Sequence, residues 1–324
     1  MRLKEWINVN ANIFTQSDLR FLLKESFSKN KQNLFGKDII LDNRKIGFLN
    51  KVKSSYLKGM PIGYLLKKEE FFGLEFVVNP AVLIPRQDTE IITEKAIEVI
   101  KNNNLKNILD LCCGTANIAI SIKKFFEQKM NLPAKKITEV HSFEARPAVL
   151  IGEGRRRINI VASDISQKAL KVARNNVKAH GVNVKVVKSD LFNSFKNIKF
   201  DLIVSNPPYL KNSEIKGALL YEPRKALFGG KDGLSFLKKI LLTAAKYLKA
   251  NGFLIVEAGY NQKTALNAIL EKTGKYEIIE WIKDYGGNFR GVILKIDADF
   301  RGSTHRAGVH PRIYPRASAS KAKL

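Results

Sequence analysis

Residues 107–121, NILDLCCGTANIAIS, pass from an apolar stretch through a glycine-containing turn into a second apolar stretch. The first stretch is typical of a buried strand, and IAIS with the following IKKFF predicts a helix. A strand, a tight turn and a helix in this order begin a βαβ unit, whose turn faces the ligand crevice of a parallel sheet. The stretch therefore predicts an α/β fold with a binding site beside residues 110–116.

The same alternation continues along the chain. A helix, EIITEKAIEVIKNN, precedes this stretch. Strands INIVASD, VKVVKSD and FDLIVS, helix QKALKVARNNVKAHG, the long helix GLSFLKKILLTAAKYLKANG and strand GFLIVEAG follow it. Alternating strands and helices predict a mostly parallel sheet covered on both faces. YEIIEWI and GVILKI, separated by DYGGNF, predict an antiparallel hairpin at the C-terminal edge of that sheet.

Residues 1–75 have the pattern of a small helical domain. SDLRFLLKESF and RKIGFLNKVKSSYLKG each place their apolar residues on one helical face, and Gly59 ends the second helix. KKEEFFGLEFVVN predicts a hairpin that turns at Gly73 and links the two units up to about residue 89. We expect the second domain to span residues 90–298.

Two segments depart from this organisation. Residues 127–160 and 301–324 together hold eight of the fifteen arginines, in a chain that otherwise strongly prefers lysine. The first predicts an atypical insertion, because Asp110 and Asp164 are 54 positions apart where about 20–30 is usual. We expect it to lie on the side of the sheet away from the site. The basic tail from residue 299 onward lacks apolar periodicity and predicts disorder.

Composition narrows the class of protein. The 324 residues carry a formal charge of +26, which predicts either an anionic partner or simply a lysine-rich solvated surface. No signal peptide and no run of about 18 apolar residues is present. The only two cysteines are neighbours, which excludes a disulfide framework and suits a reducing compartment. We expect a cytoplasmic protein.

Three successive strands each end near an aspartate. These aspartates are Asp110, Asp164 and Asp190. The carboxyl ends of parallel strands share one edge of a sheet, so we expect the three side chains there. Asp164 is suited to bind ribose hydroxyls, and Asp190 an adenine amino group, with Leu191 and Phe192 lining the base. No phosphate-binding GKS or GKT sequence is present, and two cysteines and four histidines do not suggest a metal site.

Asn206-Pro207-Pro208-Tyr209 ends the strand FDLIVS. Proline fixes φ, removes the backbone donor and forces the preceding residue to be extended. The result is a stiff turn whose carbonyl oxygens, together with the amide oxygen of Asn206, can hold an NH2 group on a planar carbon. The ring of Tyr209 can lie against that plane. Holding such a nitrogen toward the methyl group of S-adenosylmethionine would make its attack feasible.

At this point the chain resembles the release factor glutamine methyltransferases, which are class I S-adenosylmethionine-dependent enzymes with a Rossmann-like fold. The resemblance rests on GMPIGYLL, EEFFGLEF, VLIPRQDTE, ILDLCCGTANIAIS, VASDISQKALKVARNN, SDLF, VSNPPYL, YEPRKALFGGKDGL and GFLIVEAGYNQ. It implies methylation of the side-chain amide of the glutamine in the Gly-Gly-Gln loop of peptide chain release factors. We also expect the protein to be a monomer.

The resemblance also implies roles for individual residues. Asn206, Pro207, Pro208 and Tyr209 would hold the glutamine, and the helical domain would dock the protein substrate. The cofactor would contact Asp110, Cys112, Cys113, Gly114, Thr115, Ala116, Asp164, Asp190, Leu191 and Asn206. The family pattern D-x-G-x-G-x-G has Cys112 and Ala116 at two of its glycine positions, which reduces the room near the methionine part of the cofactor.

Alternative functions stay open at this point. A glutamine of a ribosomal protein could be the substrate, since the helical domain would decide the choice. The positive charge favours adenine-N6 methylation of nucleic acid, but no target-recognition module is present for it. The departures in the cofactor loop would also suit a binder without activity. Nucleic acid contact is otherwise expected only indirectly or through surface charge.

Overall fold

The computed structural model describes residues 1–27, 39–128 and 157–297. Within them the helices are α1 (Leu3–Asn10), α2 (Gln16–Phe27), α3 (Asn43–Leu57), α4 (Ile62–Leu66), α5 (Gln87–Asn103), α6 (Asn117–Gln128), α7 (Gln167–His180), α8 (Arg224–Leu227), α9 (Ser235–Thr243) and α10 (Lys263–Thr273). The strands are β1 (Lys68–Phe71), β2 (Leu74–Val77), β3 (Asn107–Leu111), β4 (Asn159–Asp164), β5 (Val184–Lys188), β6 (Phe200–Ser205), β7 (Leu248–Glu257), β8 (Tyr276–Lys283) and β9 (Phe289–Ile296).

The main sheet has the strand order β5-β4-β3-β6-β7-β9-β8. The first five are parallel, while β9 runs antiparallel to both β7 and β8. One face packs against α5, α6 and α7, and the other against α9 and α10, through two separate hydrophobic clusters. The predicted fold class is confirmed: a class I methyltransferase sheet, mostly parallel, with an antiparallel hairpin at its C-terminal edge.

The central strands β3 and β6 are buried on both faces. Ile108, Leu109, Leu202 and Ile203 have essentially no exposed surface, which explains why their sequences are continuous apolar runs without alternation. Their partners are also parallel, so the carboxyl ends of β5, β4, β3 and β6 meet along one edge of the sheet. The predicted site residues lie at these strand ends or directly after them.

The long helix predicted after residue 232 is wrong in its second half. α9 ends at Thr243, a 3-10 helix covers Ala244–Tyr247, and β7 begins at Leu248. Leu248 pairs with Phe200, and the register then shifts before Leu202 pairs with Phe253. Residues 249–252 thus lie opposite the single residue 201, and the three extra residues form an irregularity with Asn251 at φ +59°. Pairing with β6 therefore overrides the helical pattern of the sequence.

Four helices have no counterpart in the sequence prediction: α1, α4, α8 and α10. The sequences of two of these helices, α1 and α10, do contain helix signals. α1 buries Leu3, Trp6 and Asn10 at helical spacing, and α10 buries Leu266 and Leu270 before Gly274, which ends the helix in a left-handed conformation. In addition, α5 begins at Gln87, three residues before the predicted start. Its first turn therefore includes part of the motif LIPRQDTE.

The helices α1–α4 share a hydrophobic cluster of their own, centred on Trp6, Leu22, Leu23 and Leu49. The predicted hairpin follows as β1 and β2, and its turn is at Phe72 and Gly73. The predictions of an insertion and of a disordered tail fall on residues 129–156 and 298–324, which lie outside the described residues. Within the part that the structure describes, no helix is long and apolar enough to cross a membrane.

Candidate active site

The cofactor loop, residues 112–116, joins β3 to α6. Cys112, Gly114 and Ala116 have φ of +63°, +52° and +61°, so all three adopt the left-handed conformation. Glycine reaches this conformation at little cost, whereas other residues lose roughly 1–2 kcal/mol. The departures at Cys112 and Ala116 therefore introduce backbone strain in addition to the reduced room that the sequence predicts. A Cβ at Gly114 would have no atom within 4 Å, so this residue borders open space.

Three predicted loop residues turn their side chains into the protein. Cys113, Thr115 and Ala116 are buried. The Thr115 hydroxyl donates to Asn117 Oδ1 at 2.8 Å, and Asn176 Nδ2 donates to the Thr115 carbonyl at 3.1 Å. These residues can therefore meet a ligand only through their backbone. Burial also raises the pKa of both cysteine thiols, so neither is a reactive thiolate.

Asp110 is the acidic residue inside β3, and it is almost completely buried. Its Oδ2 accepts the backbone N–H of Ala119, in the first turn of α6, at 3.1 Å. Its Oδ1 has no hydrogen-bond partner within the described residues. Burial, reinforced by nearby Asp164, raises the pKa of Asp110 to about 8, against the opposing N–H of Ala119. An unpaired buried carboxylate oxygen is a place for a cationic or N–H group of a ligand.

Asp164, at the end of β4, is already hydrogen-bonded to the protein. Its Oδ2 accepts from Gly114 N at 3.1 Å and its Oδ1 from Ser166 N at 2.8 Å. The carboxylate thus ties the cofactor loop to the neighbouring strand. Each oxygen keeps a second lone pair, which leaves acceptor capacity for ligand hydroxyls. Burial raises the pKa of this carboxyl.

Asp190 and Leu191 follow β5 at the same edge. Asp190 is exposed, and Leu191, with φ +45°, is half-buried. Phe192, which was expected to line the adenine, is only 2% exposed. Its ring stacks on that of Tyr247, with the centroids 4.7 Å apart. The ring of Phe192 therefore packs in the core, and little of its surface is left for a ligand.

The NPPY turn, residues 206–209, follows β6 next to the cofactor loop. Pro207 and Pro208 are buried and Asn206 is half-buried. Asn206 Nδ2 donates to Thr89 Oγ1, in the first turn of α5, at 3.0 Å. The amide oxygen of Asn206 is thereby left as an acceptor, and within the described residues nothing donates to the carbonyl of Pro207. Two acceptors at this turn fit the predicted recognition of an NH2 group.

Tyr209 is anchored by its hydroxyl, which donates to Glu257 Oε1 at 3.1 Å. Glu257 ends β7 and is 1% exposed. Burial raises the pKa of this carboxyl to about 7, while the hydroxyls of Thr89 and Tyr209 oppose the rise. Burial and the Glu257 charge in turn raise the pKa of the Tyr209 phenol. The site therefore contains a carboxyl whose ionisation lies near neutral pH.

A glycine-rich segment encloses the backbone of the turn. A Cβ at Gly229 would lie 2.7 Å from Tyr209 Cα, and one at Gly233 would lie 2.4 Å from the Tyr209 carbonyl oxygen. Gln262 Nε2 donates to that same oxygen at 2.9 Å. Leu210, the residue after Tyr209, is also held, because its backbone N–H donates to the Leu227 carbonyl at 2.9 Å. The stretches YEPRKALFGGKDGL and EAGYNQ thus hold the NPPY turn in place.

A second contact joins the residues before α5 to the same segment. Arg86 forms an ion pair with Glu222, whose side chain is almost completely buried. Glu222 Oε2 also accepts the backbone N–H of Ile84 at 3.1 Å. Nearby, the Tyr221 hydroxyl donates to the Lys58 carbonyl, just after α3, at 2.6 Å. These contacts hold residues 84–86 and Lys58 against the segment between β6 and β7.

Sequence analysis did not identify Thr89, Glu257 or Gln262 as site residues. Each belongs to a motif that carried the resemblance, namely LIPRQDTE or FLIVEAGYNQ, but no local pattern connects them to NPPY. Thr89 and Asn206 are 117 positions apart. One signal was available for Glu257, which ends the apolar strand sequence GFLIVE. A carboxylate is rarely buried unless it has a partner.

Comparison with known proteins gives matches to methyltransferases. The model of the Methyltransferase small domain matches residues 148–285, and that of the ubiE/COQ5 methyltransferase family matches residues 83–204. A protein from Borreliella burgdorferi named release factor glutamine methyltransferase is 34% identical over 318 residues, 94% of this chain and 98% of that protein. One of the same name from Buchnera aphidicola is 32% identical over 91% of this chain and 99% of that protein.

These relatives confirm the resemblance drawn from NPPY and its accompanying motifs. They also support the expectation of an enzyme that uses S-adenosylmethionine, and they do not favour an adenine methyltransferase or a binder without activity. The identity extends over almost the whole length of both proteins. The chain belongs to the release factor glutamine methyltransferase family.

Proposed function

We propose that this protein transfers a methyl group from S-adenosylmethionine to the side-chain amide nitrogen of the glutamine in the Gly-Gly-Gln loop of peptide chain release factors. The observation that carries the proposal is the NPPY turn. Its Asn206 amide oxygen and Pro207 carbonyl are left as acceptors beside a cofactor loop. The relatives from Borreliella burgdorferi and Buchnera aphidicola, which are named for this activity, support the choice of substrate.

The residues around the cofactor loop fit S-adenosylmethionine. The unpaired Oδ1 of buried Asp110 suits its ammonium group. Asp164 offers lone pairs to the ribose hydroxyls, exposed Asp190 offers a carboxylate to the adenine amino group, and Gly114 borders open space. When bound, S-adenosylmethionine supplies an electrophilic methyl group on a sulfonium.

The NPPY turn orients the nucleophile. An amide nitrogen is a weak nucleophile because its lone pair is delocalised into the carbonyl group. Asn206 Oδ1 and the Pro207 carbonyl each accept one hydrogen of the substrate NH2, which directs the nitrogen lone pair toward the methyl donor. The Tyr209 ring lies against the amide plane. Such orientation lowers the barrier by several kcal/mol, since the reacting atoms are already aligned.

Helices α1–α4 are the region we assign to docking of the release factor. They have their own hydrophobic cluster, and the Tyr221–Lys58 hydrogen bond joins them to the segment between β6 and β7. The positive net charge of the chain favours association with an acidic surface of the partner. We expect the protein to act as a monomer in the cytoplasm, where it would meet release factors.

The test is to incubate the protein with isotopically labelled S-adenosylmethionine and a purified release factor, and to map the label by mass spectrometry. We expect one methyl group, on the glutamine of the Gly-Gly-Gln loop. A release factor with that glutamine changed to alanine is the control and should stay unlabelled. Parallel incubations contain ribosomes or DNA in place of the release factor, and label there, with none on the release factor, would refute the proposal.

A further inference from the structure

One side of helix α7 carries an exposed row of cations, which we call the basic face: Lys168, Lys171, Arg174 and Lys178. With about 3.6 residues per turn and a rise of about 1.5 Å per residue, these four side chains fall within about 120° of arc and extend over about 15 Å. The opposite side of the helix is buried and includes Leu170 and Val172. The four cations therefore form one continuous strip on the surface.

The charge of the basic face is not balanced by acidic side chains. Positions 165–189 hold six lysines and arginines and no aspartate or glutamate. On the elements that pack against α7, Glu75 of β2 is paired with Lys68 at 2.8 Å, and Glu127 of α6 with Lys123 at 3.6 Å. Within the described residues none of the four cations forms an ion pair. The strip therefore keeps its full positive charge.

Strand β5, beside α7, extends this charge. It is the outermost strand of the sheet, and Lys188 at its end is exposed. Lys188 lies on the same face of β5 as Val184 and Val186, which pack in the hydrophobic cluster beneath α7. A lysine on an edge strand also hinders pairing with another strand, whereas no such reason accounts for the cations of the helix.

The surroundings of the basic face favour phosphate groups over other anionic partners. Cores of protein interfaces contain large apolar and aromatic residues and few lysines. Among the exposed large apolar side chains of the described residues, none lies between positions 166 and 197. An amphipathic helix binds a membrane through its apolar face, but the apolar face of α7 is buried in the core. Phosphates of a nucleic acid need only cations and N–H donors.

Amides beside these cations favour RNA over DNA. Gln167 and Asn175 are exposed within the arc of the basic face, and exposed Asn183 lies between α7 and β5. An amide both donates and accepts hydrogen bonds, as does the 2′-hydroxyl that distinguishes RNA. We propose that the basic face of α7 binds the phosphate backbone of double-stranded RNA, with these amides contacting its 2′-hydroxyls.

The basic face is separate from the proposed site of methyl transfer. Strands β4 and β3 lie between β5 and β6, so about 14 Å separates β5 from the strand that precedes the NPPY turn. RNA along α7 is therefore a ligand that holds the protein and not the methyl acceptor. The inference goes beyond the proposed function and does not depend on it.

Fluorescence anisotropy of the full chain with a labelled RNA duplex of about 16 base pairs tests the proposal, since one double-stranded RNA-binding domain covers this length. Titrations from about 50 to 200 mM KCl give the slope of log K against log salt concentration, to which each phosphate contact contributes about −0.9. The basic-face variant combines Lys168→Gln, Lys171→Gln, Arg174→Gln and Lys178→Gln. We expect its affinity to fall at least about tenfold and its slope to become shallower by about 3–4.

Two controls accompany this variant. Glutamine is a good helix former, so α7 should stay folded, and an unchanged melting temperature checks this. A second variant loses the same charge through glutamines at exposed lysines of other elements, namely Lys106, Lys246, Lys272 and Lys283. Its RNA affinity and salt slope should stay close to those of the wild type. Equal losses in both variants, or a wild type that binds no RNA duplex at low salt, would overturn the proposal.

Two further probes distinguish RNA from other anions. A DNA duplex of the same sequence should bind several-fold more weakly, and combined Gln167→Ala, Asn175→Ala and Asn183→Ala should remove this preference while keeping the salt slope. Binding to phosphatidylglycerol vesicles should depend less on the basic face than RNA binding does. DNA bound as tightly as RNA, or vesicle binding that is the more sensitive of the two, would assign the face to another ligand and overturn the proposal.

Methyl transfer separates this inference from the proposed function. Without RNA, the basic-face variant should label the release factor at the wild-type rate. Slower transfer by the variant would assign the face to docking of the release factor and contradict its assignment to RNA. If the wild type labels no release factor, the proposed function fails, while the RNA titrations still decide this inference.

Discussion

The cofactor loop and the NPPY turn follow neighbouring strands, β3 and β6, yet they are held by different means. The cofactor loop depends on backbone conformation: three of its residues are left-handed, and Gly114 faces open space. The NPPY turn is enclosed, since Gly229, Gly233 and Gln262 contact its backbone. The open cofactor loop has room for different side chains, whereas added atoms around the enclosed NPPY turn would collide with its backbone.

The largest effect is expected at Asn206. Asn206→Ala should reduce methyl transfer at least about a hundredfold, because loss of one positioning contact commonly costs a few kcal/mol in the transition state. Affinity for S-adenosylmethionine should fall less, since most proposed cofactor contacts belong to the cofactor loop and Asp164. Single-turnover rates and calorimetry measure the two effects. A folded variant that turns over near the wild-type rate would show that the NPPY turn is only structural.

The second prediction compares two left-handed glycines. In Gly233→Ala the new Cβ would meet the Tyr209 carbonyl oxygen at 2.4 Å, with φ at +75°. We expect the free energy of unfolding to fall by about 2–4 kcal/mol, from overpacking and strain together. Gly114→Ala should cost only the strain, about 1–2 kcal/mol, because its Cβ would face open space. Urea unfolding of both variants gives the comparison, and equal losses would contradict it.

Asp164→Ala should weaken binding of S-adenosylmethionine or its demethylated product by about 1–3 kcal/mol, through lost charge-assisted hydrogen bonds. The substitution also releases Gly114 N, so part of the loss comes from a less ordered loop. Isothermal titration calorimetry measures it. Asp201→Ala is a suitable control, because Asp201 pairs with Lys249 at the opposite end of β6. Unchanged affinity in Asp164→Ala would remove Asp164 from the site.

The smallest effect is expected at Cys112. Cys112→Gly relieves left-handed strain but adds chain entropy to the unfolded state, so the free energy of unfolding should change by less than about 1 kcal/mol. Cofactor affinity should be kept. Cys112→Val should lose more than about 1 kcal/mol, because β-branched residues are poorly tolerated at positive φ. If valine were tolerated as well as glycine, backbone conformation would not be what shapes the loop.

The sequence alone determined much of the site because the relevant signals are local. The run NILDL predicts a buried strand, Gly114 a turn, and the two prolines of NPPY a stiff end to β6, whatever surrounds them. The three aspartates lie at or near the carboxyl ends of their strands, at one edge of the sheet, since parallel strands share a direction. The long helix after residue 232 shows the limit of such signals. Its pattern continued past Tyr247, but pairing with β6 converted Leu248 onward into a strand.

Only the tertiary structure decided how the NPPY turn is held. Thr89 lies 117 positions from Asn206, and Glu257 lies 48 positions from Tyr209. No periodicity links residues at such distances, because their contact depends on the sheet order that sets β6 beside β7 and on the start of α5 against both. Gly233 and Gln262 meet Tyr209 for the same reason. The local sequence indicates which residues could bind ligands, whereas the packing of distant segments supplies the neighbours that hold those residues in place.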